Sequence, residues 1–408
     1  MKKNVLLINY RNMGVGGIEN YIYHVIKTAL REEYEVIWLC DTHPIIAPIY
    51  ESFFDTEKIK KIPCETHGFH WFRHGDIVLS QYSRIIVISF NFLDHVRALE
   101  FLKDCECAEK YPLFLIPHYE GGLLFPETNF KRIKKIVKKI AAKGYSSFIE
   151  SGEVIFMASN HPDAIEKAYG IKIEEKNKKR DPSFINKREF DEERIRHNYR
   201  NDVFTIIAAG RLEFPHKGYI LGLIDVFCQL KNKYSFLRLR IIGDGIDKNI
   251  LLKKLESLPQ EIRADIEYEG MIPYDQLLDV YEKCNLSISI AGCATSSAMV
   301  GLLTLPARNY TEECEVYGFI PDSKNMTTST EPGKPVREYI EQVIRMTEEE
   351  YVQRSRLSYE CYEDSSVSIA NLYSSLQSNT PYYPTKKDLY IYKILNFLEK
   401  VNYFVKAL

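Results

Sequence analysis

One stretch concentrates the residue types that could do chemistry. It runs from Val203 to Gly218 and reads VFTIIAAGRLEFPHKG. The apolar run Val203 to Ala209 has the continuous hydrophobicity of a strand buried in a parallel sheet. Gly210 ends it and Arg211 follows at once. Lys217 and Gly218 close a short loop before the amphipathic segment YILGLIDVFCQLKN. Two cations and a helix N-terminus at the carboxyl end of one strand make an anion site, and the obvious anion is a phosphate group. The same residues also fit a structural loop with two solvated charges.

The elements around this stretch follow one alternation. VLLIN, within residues 4–9, reads as a strand. A glycine turn (Gly14, Gly16, Gly17) and a helix with apolar Ile18, Ile22, Val25, Ile26 and Leu30 follow, then a strand from Tyr34 to Leu39. This is a βαβ unit with an expected right-handed crossover. It lacks a full GxGxxG, so it does not by itself specify dinucleotide binding. Further strands are predicted at Arg84 to Ser89, at Leu113 to Pro117 and at Glu153 to Ser159, with a helix over Asn91 to Leu102. The second of these three strands, Leu113 to Pro117, delivers His118 to its carboxyl end. Beyond the anion stretch, Leu237 to Ile242 is a strand ending in Gly243-Asp244-Gly245. Asp265 to Tyr268 and Leu286 to Ala291 are strands, with helices over Lys248 to Leu258 and Asp275 to Lys283.

Gly210-Arg211-Leu212 with Lys217-Gly218, Gly16-Gly17-Ile18-Glu19, IIGDG and YEGMIPYDQLLDVYEKCNLSISIA together resemble segments of family 4 glycosyltransferases of the GT-B fold. The resemblance covers most of residues 203–306 and the first βαβ unit. It implies two doubly wound α/β domains, Rossmann-like and facing a cleft. It implies that Arg211 and Lys217 grip the diphosphate of a nucleotide-sugar and stabilise it as it leaves, Arg bidentately and Lys as a point charge. By the same resemblance, Gly16 and Gly17 let the backbone approach the donor phosphates, His118 contacts the donor sugar, and Gly243 and Gly245 admit the base and ribose closely. The family's chemistry needs no metal and no cofactor beyond the donor.

One departure stands out. After its last strand the family carries a pair of glutamates, and counting back from Pro306 puts them at Ala291 and Met299. AGCATSSAMVGLLTLP keeps Gly292, a small-hydroxyl helix start (Thr295, Ser296, Ser297) and Pro306, but neither carboxylate. Met299 then stands where the resemblance implies a group on the ribose. A hydrogen bond to a charged group contributes roughly 1.5–3 kcal/mol, so donor affinity would fall about tenfold or more without a substitute. Glu312, Glu313 and Glu315 are candidates for that substitute.

Two other segments could carry function. Cys64, His67, His70 and His74 have spacings that could suit a metal, but the segment is aromatic and loop-like and has no acidic partner cluster, so no metal site is assigned. NFKRIKKIVKKIAAKGY, residues 129–145, puts Phe130, Ile133, Val137, Ile140 and Ala141 on one helical face. Lys131, Arg132, Lys134, Lys135, Lys138, Lys139 and Lys143 cover the rest with no acid between them. A basic amphipathic helix of this kind suits an anionic membrane surface, and a plain solvated face is the competing reading.

At 408 residues, 45% hydrophobic and 27% charged, the composition is that of a soluble globular protein long enough for two domains. The net charge of −2 argues against nucleic-acid binding by the whole surface. The nine cysteines are scattered, several within apolar runs, as expected of reduced thiols. No apolar run reaches the length of a membrane span, and the N-terminal run is short for a signal peptide, so a cytoplasmic protein, peripheral at the inner face of the membrane, is expected. The expected division is an acceptor-side domain over 1–180, a polar linker over 181–202, a nucleotide-sugar domain over 203–362 and crossover and tail helices over 363–408. The apolar tail could dock on the first domain, meet a partner or touch lipid. The functional expectation is transfer of a sugar from a nucleotide-sugar to a lipid-linked or polymeric glycan. The alternative is a non-catalytic subunit of the same fold that supports a protein partner.

Overall fold

The computed structural model describes residues 3–63, 79–103, 105, 107, 109–116, 131–157, 161–179, 187–362, 369, 372 and 381–394. The chain forms two units, Met1–Phe184 with Val367–Leu408, and Ile185–Ser366.

In the first unit the order is β1 (Lys3–Asn9), α1 (Gly17–Arg31), β2 (Glu35–Cys40), α2 (Pro48–Phe54), β3 (Ile59–Pro63), β4 (Tyr82–Ser89), α3 (Phe92–Lys103), β5 (Glu109–Ile116), α4 (Lys131–Glu150), β6 (Val154–Phe156) and α5 (His161–Tyr169). The strands form one parallel sheet in the order β3-β2-β1-β4-β5-β6. Apolar side chains cover both faces. Leu6 and Ile8 pack against α1 residues such as Ile22 and Val25, while Val5 and Leu7 pack with Ala98, Phe101 and Leu102 of α3. That burial on both faces is why β1 and β4 read as continuous hydrophobic runs. The edge strand β3 was not expected. Its sequence, IKKIP, is short, carries two exposed lysines and ends in proline, which suits a protected edge.

The C-terminal part of the chain returns to this unit. Ile369 and Leu372 are buried in the same core as α1 and β1, and the Ile369 amide donates to the Glu32 carboxylate. Residues 386–394 are helical, and Tyr392 fills a slot beside Phe92 of α3 (ring centroids 5.2 Å apart) and Gly144 of α4. A side chain at Gly144 would strike Phe92, so the glycine is what admits the aromatic pair.

The second unit runs α6 (Glu192–Arg200), β7 (Phe204–Ala209), α7 (Tyr219–Lys231), β8 (Leu237–Ile242), α8 (Lys248–Glu256), α9 (Gln260–Arg263), β9 (Ile266–Gly270), α10 (Tyr274–Tyr281), β10 (Leu286–Ser289), α11 (Ala291–Met299), β11 (Thr304–Pro306), a short antiparallel pair β12 (Glu315–Val316) and β13 (Lys334–Pro335), α12 (Val336–Ile344) and α13 (Glu348–Glu360). Its main sheet is parallel in the order β11-β10-β7-β8-β9. The strand order reverses between β7 and β10. In open α/β sheets, ligands bind outside the carboxyl ends of the strands at such a switch point. The register pairs Leu286 with Ile206 and Ser287 with Ile207, so the loops after β7 and β10 leave the sheet side by side.

Candidate functional site

The loop after β7 carries Arg211 and Lys217, and the loop after β10 opens directly into α11. Within the first loop the Lys217 amide donates to the Glu213 carbonyl (2.9 Å) and the Gly218 amide to Pro215 (2.9 Å), which turns the chain into α7. Arg211 is 40% exposed and pairs with Glu213 at 2.7 Å. Lys217 is partly buried, and its side chain lies across Gly210, where a Cβ would stand 2.7 Å from Nζ. Its ammonium has no carboxylate or hydrogen-bond acceptor paired with it among the described residues. Burial holds its pKa below the ordinary lysine range, and the nearby Arg211 charge acts in the same direction. A desolvated cation without an acid of its own favours an incoming anion.

The second loop faces the same cation. Cys293, in the first turn of α11, lies near Lys217 and packs on the cluster that contains Ala209 at the end of β7. Ala291 has a positive φ of 49° where strand gives way to helix, and its amide donates to the Thr327 carbonyl at 2.7 Å. Gly292 is exposed, with open space where a side chain would lie. Among the described residues no side chain caps this helix N-terminus. The first-turn amides of Gly292 and Cys293, beside a cation, are groups that could receive an anion of the kind the Val203 to Gly218 stretch implies.

The glycines after β8 are also required by a contact within the unit. A Cβ on Gly243 would stand 1.9 Å from the Gly210 carbonyl oxygen, and one on Gly245 would stand 2.1 Å from that of Leu212. The β7 and β8 loops are pressed together there. The Gly210 amide donates to Ile242, the Leu212 amide to Asp244 (both 2.9 Å) and the Asp247 amide to Leu212 (3.2 Å). The absence of side chains at Gly243 and Gly245 is thus explained by the close approach of the neighbouring loop, which holds Arg211 and Lys217 in place.

The start of α11 also differs from expectation. The helix begins at Ala291, so Thr295, Ser296 and Ser297 lie in its second turn. Ser296 is buried against the Tyr274 hydroxyl (2.7 Å), and Ser297 bonds Thr304 (2.9 Å). Thr295 bonds back to the Ala291 carbonyl at 3.4 Å. Met299 ends the helix rather than leading it and is 2% exposed. Among the carboxylates offered as substitutes, Glu315 is tied to Arg308 at 2.7 Å and sits below the usual carboxylate range for that reason. Glu312 and Glu313 are exposed, with the Glu312 backbone packed over Gly222 on the first turns of α7.

In the first unit, Gly16 and Gly17 open α1 after β1, as expected, with free space beside Gly17. The switch point of that sheet lies between β1 and β4. His118 lies outside the described residues, as do Cys64, His67, His70 and His74. Among the described residues no group of three or more His, Cys, Asp or Glu could hold a metal ion. Of the α4 cations, Lys135, Lys138 and Lys139 are exposed, with Ile136 beside them at 59% exposure. Lys143 is paired instead with Asp388 (2.9 and 3.1 Å). The side chains of Lys131, Arg132 and Lys134 are outside the described set. No described helix is long and apolar enough to cross a membrane.

Sequence reasoning missed Glu213 as the partner of Arg211, although the Arg-x-Glu spacing is visible in the loop. It also missed Tyr219 and Tyr281, fully buried near Cys293: the Tyr281 hydroxyl interacts with the Cys293 side chain, and the Tyr219 hydroxyl has no hydrogen-bond partner among the described residues. Their apolar setting gave no local signal.

No described protein family matches the sequence, and no curated protein does. Solved structures do match. WaaG, a glycosyltransferase involved in lipopolysaccharide biosynthesis, has a TM-score of 0.52 at 12% identity, over 91% of this chain and 98% of that one. A glycosyltransferase from Rickettsia africae has a TM-score of 0.53 at 11% identity, over 93% and 100%. The E. coli trehalose-6-phosphate structure bound with UDP-2-fluoro glucose has a TM-score of 0.52 at 10% identity, over 93% and 100%. With two parallel-sheet α/β units matching these glycosyltransferase structures over nearly their whole length, this chain has the GT-B fold.

Proposed function

We propose that the chain is a glycosyltransferase that takes a nucleotide-sugar and transfers its sugar to a lipid-linked or polymeric glycan, with retention of anomeric configuration. The carrying observation is the Lys217 ammonium. It is desolvated, has no acid paired with it among the described residues, and lies beside Arg211 and the open first turn of α11 at the switch point of the sheet. Arg211 and Lys217 stabilise the diphosphate as charge develops on it, and the leaving phosphate takes the acceptor proton. Positioning and charge stabilisation do most of the catalysis, and the reading calls for no metal. The exposed cations of α4 hold the enzyme at an anionic membrane surface, on the cytoplasmic side, where a lipid-linked acceptor presents its hydroxyl. Gly292 and the backbone around it take the donor phosphates.

Titration with a panel of nucleotide-sugars tests this reading, with release of free nucleotide followed in parallel. Saturable binding of one donor with slow nucleotide release is the expected result. No binding across the panel at millimolar donor sinks it.

A second reading is a non-catalytic subunit that supports an active partner. It is favoured by Ala291 and Met299, which leave α11 without a carboxylate for ribose. Binding without turnover, in the presence of acceptor, would select it.

A further inference from the structure

The floor of the anion site holds a thiol. Cys293 is partly exposed, sits in the first turn of α11, and packs against the apolar cluster that contains Ala209 and Tyr281. Lys217 approaches it from the β7 side. Tyr219 and Tyr281 are both fully buried nearby; the Tyr281 hydroxyl interacts with the Cys293 side chain, and the Tyr219 hydroxyl has no hydrogen-bond partner among the described residues. Buried hydroxyls left unsatisfied cost free energy and are uncommon in a finished interior. Here the Tyr219 hydroxyl lies near the Cys293 thiol, which in turn lies near an ammonium with no acid paired to it among the described residues. Such a cluster marks a place where a polar group belongs. By contrast, Cys40, Cys105, Cys107, Cys284 and Cys314 are buried.

We propose that Cys293 is a modifiable thiol in the floor of the anion site, and that mixed-disulfide formation there closes the site to a diphosphate. This inference rests on the diphosphate reading of Arg211 and Lys217. In the reaction, the Cys293 sulfur, having given up its proton, attacks one sulfur of a low-molecular-weight disulfide. The S–S bond of that reagent breaks and a new one forms to Cys293. The departing thiolate takes up the proton, and the reagent supplies the oxidising equivalents. The appended group stands beside Lys217 and over the open face of Gly292, where the phosphates would lie. A reducing thiol reverses the change.

The test uses the full chain, oxidised glutathione as reagent and inorganic pyrophosphate as the anion. Mass spectrometry follows the adduct at Cys293, with the partly exposed Cys228 and Cys361 as internal references. Calorimetry measures pyrophosphate binding separately. Pyrophosphate at about ten times its Kd should slow modification at Cys293 about tenfold and leave the two references unchanged. The modified protein should lose pyrophosphate binding, and dithiothreitol should restore it. In Cys293→Ser, the pyrophosphate affinity should no longer respond to oxidised glutathione. If pyrophosphate binds by calorimetry but does not protect Cys293, the thiol lies away from the bound anion, and the inference fails while the diphosphate reading stands. If unmodified protein binds no pyrophosphate, the diphosphate reading fails and the inference falls with it.

Discussion

The side chain of Lys217 lies across the bare α-carbon of Gly210. A Cβ at position 210 would stand 2.7 Å from Nζ and 3.0 Å from Cδ. The glycine that ends β7 is therefore the seat of the cation that follows it seven residues later in the sequence. Gly210→Ala should push Lys217 off this seat. Its φ of 157° is one that L side chains rarely adopt, so the substitution also strains the backbone. Pyrophosphate affinity should fall toward that of Lys217→Ala while the circular dichroism spectrum stays native. Wild-type affinity in Gly210→Ala would show that the placement of Lys217 does not depend on position 210.

Arg211→Ala and Lys217→Ala each remove a donor aimed at developing charge. Each should lower turnover by on the order of a hundredfold or more. Arg211 is held by Glu213 at the surface, and Lys217 is enclosed. The Lys217 variant should thus show the larger loss, because an enclosed charge is screened less by solvent. Steady-state rates with one donor and one acceptor decide this. Unchanged rates in both variants would remove the diphosphate assignment.

The pH dependence follows from burial at Lys217, which lowers its folded-state pKa from the ordinary lysine value. Between the lowered value and the ordinary one, the unfolded chain keeps a proton that the ligand-free folded protein has shed. The desolvation penalty is in full force below this window, and stability from this group rises as pH rises through it. A bound diphosphate favours the charged form, so its binding takes up a proton in the same window, and affinity falls as pH rises. The difference between wild type and Lys217→Met, measured in thermal stability and in pyrophosphate affinity over a pH series, should show both trends. A constant difference across the series would contradict the lowered pKa.

Much of this arrangement is legible in the sequence, because it is local. A continuous apolar run, a glycine, a cation and a helix start are neighbours along the chain, and the alternation of strand and helix dictates a parallel sheet with loops at its carboxyl edge. What was not legible depends on contacts between distant residues. Gly243 and Gly245 read as openings for a ligand, yet the partners that require glycine there are the Gly210 and Leu212 carbonyls. The onset of α11 was misplaced because Ala291 enters the helix through a positive φ that no alanine signals. Lys143 counted as one more free cation until Asp388, far along the chain, proved to hold it. The buried hydroxyls of Tyr219 and Tyr281 look from sequence like ordinary core aromatics.

The C-terminal segment should be part of the stability of the first unit. Tyr392 is 1% exposed against Phe92 and Gly144, and Asp388 pairs with Lys143. Removing a large buried aromatic costs about 3–5 kcal/mol. Tyr392→Ala should therefore lower the thermal midpoint of the first unit by several degrees, whereas Lys143→Gln, which removes the exposed half of the pair and leaves Asp388 bonded to the Thr385 hydroxyl, should lower it less. Scanning calorimetry of the full chain resolves this. Equal and negligible effects from both variants would mean that the segment rests on the unit without stabilising it.

The last prediction concerns the exposed face of α4. Lys135, Lys138 and Lys139 stand in solvent with no ion pair to any described acid, and Ile136 lies among them at 59% exposure. An apolar side chain within a cationic face is what an interfacial helix presents to a bilayer, where the charges meet lipid headgroups and the hydrocarbon enters the boundary. Each lysine near an anionic surface contributes about 1 kcal/mol, and the effect fades over a Debye length. Replacing the three lysines with glutamine should therefore weaken binding to vesicles containing phosphatidylserine by at most about 3 kcal/mol, on the order of a hundredfold. Wild-type binding should decline as salt rises and be weak on neutral phosphatidylcholine. Turnover on a short water-soluble acceptor should stay at the wild-type rate, because none of these side chains belongs to the anion site. Ile136→Ser should reduce binding with little change in its salt dependence, which separates the apolar contribution from the charge. Sedimentation with vesicles measures all of this. If the triple variant sediments with anionic vesicles as well as wild type at low salt, these lysines are a solvated face, and the proposal of a lipid-linked acceptor loses its direct support in the structure.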